Sequence, residues 1–219
     1  MNENLIIELE RDGIVTATFR KLDPEKKKTL YVTALTAFSE DVFDRVSFDY
    51  IAETAGVSKG SLFQYFGNKE NLLRFTCEIF IDNYRQFWDS QRTRAEGIHT
   101  RERIRDFSQT LLDFRAERKV EYAFYVKMLY ENSRELTDDF LQKINRILLE
   151  HLNRLISRGA RTAEVRQDIP AERIAFVITA LIEASHRYSN TINQKLRNRE
   201  KLMDIIEDIE GMLFDGIKG

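Results

Sequence analysis

Cysteine is almost missing from this chain of 219 residues: Cys77 stands alone. One thiol excludes an internal disulfide scaffold and a thiolate metal cluster, and it suits a reducing compartment. Proline occurs twice and glycine nine times, so little interrupts the backbone and long helices are the default. Neither sign of charge dominates: 34 Lys and Arg face 36 Asp and Glu, for a net charge of −2. Any nucleic-acid binding must therefore rest on local charge. No apolar run approaches the ~18 residues of a membrane span. The start, Met1-Asn2-Glu3-Asn4, lacks the basic-then-apolar plan of a signal peptide. A cytoplasmic protein without a membrane partner is expected. The three histidines, His99, His151 and His186, form no HxxxH or HExxH pair, so neither a metal nor a cofactor is expected.

What remains is 42% hydrophobic and 32% charged, enough apolar material for one large or two small globular domains of all-α class. Leu5 to Phe19 breaks that pattern. Around Arg11-Asp12-Gly13 a three-residue loop would pair Leu9 with Val15, Ile7 with Ala17 and Leu5 with Phe19, leaving one wholly apolar face. The reading is an N-terminal extension over 1–22 carrying a β-hairpin, with a frayed arm or short helix as the alternative. A hairpin is marginal alone, so its apolar face would dock on the body or on a partner.

Asp23-Pro24-Glu25 then opens a helix with a capping carboxylate and Pro at the first helical position. Ser47 can cap a second helix with Phe48, Ile51, Ala52 and Ala55 on its buried stripe, ended by Gly56. Ser58 can cap a third, stopped by Gly67-Asn68. A long helix follows from Lys69 to about Arg94, and others at about 100–118, 120–132, 137–158, 170–190 and 199–217. Gly159 reads as a C-terminal stop and Asp168-Ile169-Pro170 as a start.

Two short helices separated by Gly56-Val57-Ser58 fit a helix-turn-helix, whose second helix enters a major groove. The small residues of its first turn, Ser58-Lys59-Gly60-Ser61, let backbone N–H groups approach a phosphate. Here the chain resembles the TetR family of bacterial transcriptional regulators. Ile51-Ala52, Ala55 through Phe63, Tyr65-Phe66 and Asn68 through Leu72 carry the resemblance, which covers about 26–75. It implies that Lys59, Gly60 and Gln64 face base edges, while Ser47, Tyr65 and Lys69 hold phosphates of double-stranded DNA. Ser58 and Ser61 join that site through the first turn. Gln64 can bond an adenine edge and Lys59 a guanine. Phe63 stands where the family usually has a tyrosine, and Lys26, Lys27 and Lys28 either touch the DNA backbone or minor groove or form a solvated helix start. Asp41, Asp44, Asp49 and Glu53 are expected on the far side of this domain.

The resemblance divides the chain into a DNA-binding domain at 23–75 and a helical effector-binding and dimerisation domain at 76–219. The apolar residues of 170–190 and 199–217 spread over two faces of each helix. One face can join the subunit and the other a symmetric partner, which predicts a homodimer reading a palindrome. The resemblance also implies a pocket for an unidentified small-molecule effector that releases a repressor. Tyr84, Trp88, Phe107, Phe114, Tyr125, Met128 and Phe176 are its candidate lining, and an apolar or aromatic effector suits them.

Two rival functions are weaker. Gly56-Val57-Ser58-Lys59-Gly60 matches G-x-S-x-G, but a serine hydrolase needs a strand before the serine, and a helical segment precedes it. A TetR-like protein working mainly through a protein partner, with DNA as an anchor, would use the apolar hairpin face.

Overall fold

A computed structural model describes residues 1–91, 99–130 and 132–187, with positions 204, 207–209, 211, 212 and 215. The helices are α1 (Glu3–Arg11), α2 (Ala17–Arg20), α3 (Pro24–Glu40), α4 (Phe48–Thr54), α5 (Lys59–Phe66), α6 (Lys69–Ser90), α7 (Thr100–Glu117), α8 (Lys119–Tyr130), α9 (Arg134–Arg161) and α10 (Ala171–Arg187). No β-strand occurs among the described residues, and the fold is all-α. The chain forms two compact units, Met1–Gln86 with Lys119–Lys143 and Phe87–Arg118 with Ile144–Gly219. The end expected for α6 at Arg94, and most of the helix expected at 199–217, lie outside the described residues.

The N-terminal hairpin is the main correction. Residues 3–11 are helical, capped by the Asn2 side chain, which accepts the Asn4 N–H at 3.1 Å. Gly13 does adopt the positive φ a hairpin loop would need, +72°, but it closes a helix. The Gly13 N–H donates to the Glu10 carbonyl and the Ile14 N–H to the Leu9 carbonyl, the paired bonds of a Schellman motif. The alternation of Leu5, Ile7 and Leu9 was a coincidence of a short helix: Ile6 and Leu9 face inward while Ile7 is exposed. Val15 and Phe19 are buried in the same unit, so the apolar face foreseen for a partner is used internally.

This extension is built into the first unit. Phe19 is fully buried with its ring centroid 5.0 Å from those of Phe66 and Phe75 and 6.2 Å from that of Tyr65. The Thr16 N–H donates to the Tyr65 carbonyl at 3.0 Å and the Thr16 hydroxyl to the Gln64 carbonyl at 2.8 Å. Those carbonyls belong to the last turn of α5, where a helix has acceptors without internal partners. Arg20 pairs with Glu10, and Asn71 donates to the Gly13 and Phe66 carbonyls. Lys27, a candidate for the DNA backbone, instead has a buried side chain whose ammonium meets Glu3 at 3.0 Å.

Other starts follow the sequence. Asp23 caps α3 by accepting the Lys26 N–H at 2.9 Å, with Pro24 at its first position. Leu30, Ala34 and Phe38 of α3 are buried, and α3 packs on α8. Cys77 is buried, and burial pushes its thiol well above the usual range.

In the second unit, Gly159 is not a helix stop. Helix α9 continues to Arg161, and the chain reverses at Ala163, whose φ is +57°. A Cβ on Gly159 would lie 2.4 Å from Thr100 Oγ1 and 2.8 Å from Val165 Cγ2, so the glycine permits the start of α7 to approach α9. At the same junction Glu164 accepts the Thr100 N–H at 2.5 Å and the Thr162 hydroxyl at 2.9 Å. These bonds, the Thr100 amide first, hold the Glu164 carboxyl down at about 2.

Two outcomes are expected. Phe19→Ala should destabilise the protein by about 3–5 kcal/mol in urea unfolding, the range for emptying a buried Phe site. A carboxyl with a depressed folded pKa contributes its stability above the ordinary value and loses it as pH falls toward the folded value. Glu164→Gln should therefore be less stable at neutral pH, and its deficit against wild type should narrow between about 4.5 and about 2 in thermal melts.

Candidate nucleic-acid interface

Helices α4 and α5 are joined by four residues, Ala55, Gly56 and Val57 leading into the Ser58 cap. Gly56 has φ +68°; its N–H donates to the Glu53 carbonyl and the Val57 N–H to the Ala52 carbonyl, so α4 ends in another Schellman motif. The Ser58 hydroxyl accepts the Ser61 N–H at 3.0 Å and lies 2.8 Å from the Ser61 hydroxyl. Ser47 caps α4 by accepting the Tyr50 N–H at 3.2 Å. Ser58 is thus a helix cap preceded by a helix, not the strand-borne nucleophile of a hydrolase.

The 3.6-residue period divides α5 cleanly. Leu62, Tyr65 and Phe66 point inward and are buried. Lys59, Gly60, Phe63 and Gln64 are exposed. Gly60 is not demanded by the protein: a Cβ there would meet only Ser58 Oγ, at 3.8 Å. Tyr65 sits on the inner side, its ring edge-on to Phe19 and Phe66.

Two lysines already have partners. Lys59 Nζ lies 2.8 Å from Asp49 on α4, so Asp49 is beside α5 and not on the far side. Both side chains are more than half exposed, so the pair is worth little and an incoming phosphate or base can displace it. Lys69 donates to the Asp44 carbonyl at 3.2 Å and the Val46 carbonyl at 3.0 Å, with its ammonium 4.6 Å over the Phe43 ring. It fixes the loop that delivers Ser47 to the start of α4. Sequence reasoning missed Thr16, whose signal was masked by the hairpin pattern, and Phe48, whose ring centroid is 4.7 Å from that of Phe63.

The seven residues expected around an effector are not all in one unit. Tyr84, Tyr125 and Met128 belong to the first; Tyr84 stacks on Phe80 and Met128 is buried. Trp88, Phe107, Phe114 and Phe176 belong to the second, where Phe114 packs on Phe87 and Phe176 is 62% exposed on α10. Trp88 and Phe107 line a cavity of about 220 Å³ within that unit, together with His151, Arg103, Arg154 and Arg158. Trp88 and Phe107 stack at 4.8 Å, and His151 lies 5.1 and 5.6 Å from them. Arg103 is buried, and burial followed by the Arg158 charge lowers its pKa. The sequence pattern supplied the aromatic wall; the arginines at helical spacing on α9 were passed over.

A capped helix-turn-helix that exposes Lys59, Gly60, Phe63 and Gln64 is the arrangement by which proteins with this motif meet a major groove. Residues 30–74 match the model of the bacterial regulatory proteins of the tetR family. The chain is 24% identical over 160 residues to an uncharacterized HTH-type transcriptional regulator, YhgD, of Bacillus subtilis strain 168, covering 72% of this chain and 80% of that one. A TetR family regulator of Chloroflexus aurantiacus superposes with TM-score 0.66 at 22% identity, over 94% of this chain and 99% of that one. FadR of Bacillus subtilis, solved in complex with stearoyl-CoA, superposes with TM-score 0.67 at 20% identity, over 87% and 99%. Residues 30–74 thus carry the DNA-binding region of a tetR-type regulator, and the fold is like that of the solved TetR-family regulators. No helix among the described residues is long and apolar enough to cross a membrane.

Removing the Lys69 ammonium leaves two loop carbonyls without their donor. Water can reach these carbonyls, so Lys69→Ala should cost only about 0.5–1.5 kcal/mol of stability in urea unfolding while far-UV circular dichroism stays that of a helical protein.

Proposed function

We propose that this protein is a cytoplasmic repressor that reads a palindromic operator as a homodimer and leaves it when a small effector binds. Residues 23–75 carry the reading, and 76–219 the effector site and the dimer. The observation that carries the proposal is Gly60. Glycine inside a helix is unfavourable relative to alanine, and neither backbone nor packing asks for it at this position. A duplex approaching the first turn of α5 does ask for it, because a phosphate or base edge must come close to backbone N–H groups. Lys59 and Gln64 flank that opening with donors suited to guanine and adenine edges. Ser47, Ser58 and Ser61 present capped helix starts to the DNA backbone.

Helix α10 supports the dimer. Ile174, Ala175 and Ile178 are buried in the subunit, while Phe176 and Val177 are exposed on the opposite side. A helix apolar on two sides needs a second covering, and a symmetric copy supplies one. Two reading helices about one DNA turn apart then fit a palindrome.

The cavity of the second unit suits an effector with a flat apolar body and a negatively charged group. Trp88 and Phe107 offer the apolar wall, and Arg103, Arg154 and Arg158 outnumber the one carboxylate of the lining, Asp106. The stearoyl-CoA of one structural neighbour likewise joins an apolar chain to anionic groups. An effector that favours the unbound conformation by about 1–3 kcal/mol gives a measurable switch.

Selection of binding sites from random duplex DNA, beside a Lys59→Ala, Gln64→Ala double variant, tests the reading. A palindrome enriched by wild type and lost with the double variant supports it; no enrichment from a folded dimer stripped of small molecules contradicts it. On the selected operator, Gly60→Ala should raise thermal stability, by up to about 1 kcal/mol, and weaken binding about tenfold or more. An alanine variant that binds as wild type does would remove the carrying observation.

A further inference from the structure

We infer that Phe63 is a specificity-determining residue that contacts the 5-methyl group of a thymine in the operator. The inference rests on α5 being the reading helix. Four side positions face out from α5, and three of them have an obvious use: two polar side chains and a gap at Gly60. The fourth is a phenyl ring, 45% exposed, set between Lys59 and Gln64 on the same face.

The ring cannot fold away. The inner side of α5 is filled by Leu62, Tyr65 and Phe66, all buried. Phe48, from the first position of α4, backs the ring at 4.7 Å between centroids with a 54° tilt. One side of Phe63 is therefore steadied by an aromatic contact, and the remainder faces outward beside the space at Gly60.

A phenyl ring has no donor or acceptor for base edges. The major groove presents hydrogen-bonding atoms from every base pair, and its distinctive apolar feature is the thymine methyl. A pre-positioned apolar ring among polar readers therefore selects a T·A pair by burying that methyl, next to the pair addressed by Gln64. Phe48 acts through Phe63, as a positioning residue for it.

Replacing thymine by deoxyuridine deletes the methyl and leaves the base-pairing atoms unchanged, so the test needs no change in the protein. Each thymine of the selected operator is replaced in turn, and binding is measured for wild type and Phe63→Ala, with thermal melts confirming that the variant is folded. One thymine per half-site should weaken wild-type binding about fourfold when replaced, and about sixteenfold when replaced in both, the worth of one buried methyl each. Phe63→Ala should bind the thymine and uracil operators equally. Indifference of wild type to every replacement overturns the inference while the DNA reading stands. So does a Phe63→Ala variant as sensitive to the methyl as wild type. Failure of a folded, small-molecule-free dimer to enrich any operator overturns the DNA reading, and this inference with it.

Discussion

The outer face of α5 is available to DNA because its inner face and both ends are satisfied from within the protein. Ser58 takes up an N–H of the first turn, and Thr16 supplies donors to the Gln64 and Tyr65 carbonyls of the last. Phe19 wedges against Tyr65, Phe66 and Phe75, so α5 and the long helix that follows it share one aromatic cluster. Unsatisfied backbone groups and apolar side chains would otherwise compete with DNA for the same surface. The segment before Asp23 is thus part of the device that aims α5.

Electrostatics acts locally here. With a net charge of −2, the protein has no global field to draw it to a polyanion. Lys59 is held by Asp49 at an exposed site where the attraction is weak, so exchanging that partner for a phosphate or a guanine edge costs little. Lys69 is held by two carbonyls and an aromatic face of the loop before α4. Two lysines ten residues apart serve different ends because one meets a carboxylate in water and the other meets backbone at the edge of the core. In the second unit, buried Arg103 lines one cavity with the stacked Trp88 and Phe107.

Much of this was legible in the residues. Asp23-Pro24, Ser47, Ser58 and Gly56 announce starts and a turn through local chemistry, and each does that work in the structure. Caps and turns depend on atoms within a few residues, so sequence spacing suffices to find them. The period of Leu62, Tyr65 and Phe66 likewise fixes which side of α5 turns inward. The ring of Tyr65, on that inner side, packs edge-on against Phe19.

The errors share one cause. Leu5, Ile7 and Leu9 alternate as a strand would, yet the short segment is a helix because Ile6 and Leu9 find a core and Gly13 closes a Schellman motif. Gly159 has the chemistry of a stop, and tertiary crowding against Thr100 and Val165 makes it a point of close approach inside α9. By itself the sequence determined the all-α class, the helix-turn-helix and its outward residues, because these follow from capping atoms and helical period. The tertiary structure decided what the extension is, which lysines are engaged and which aromatics share a cavity, because burial and pairing are set by groups distant in sequence.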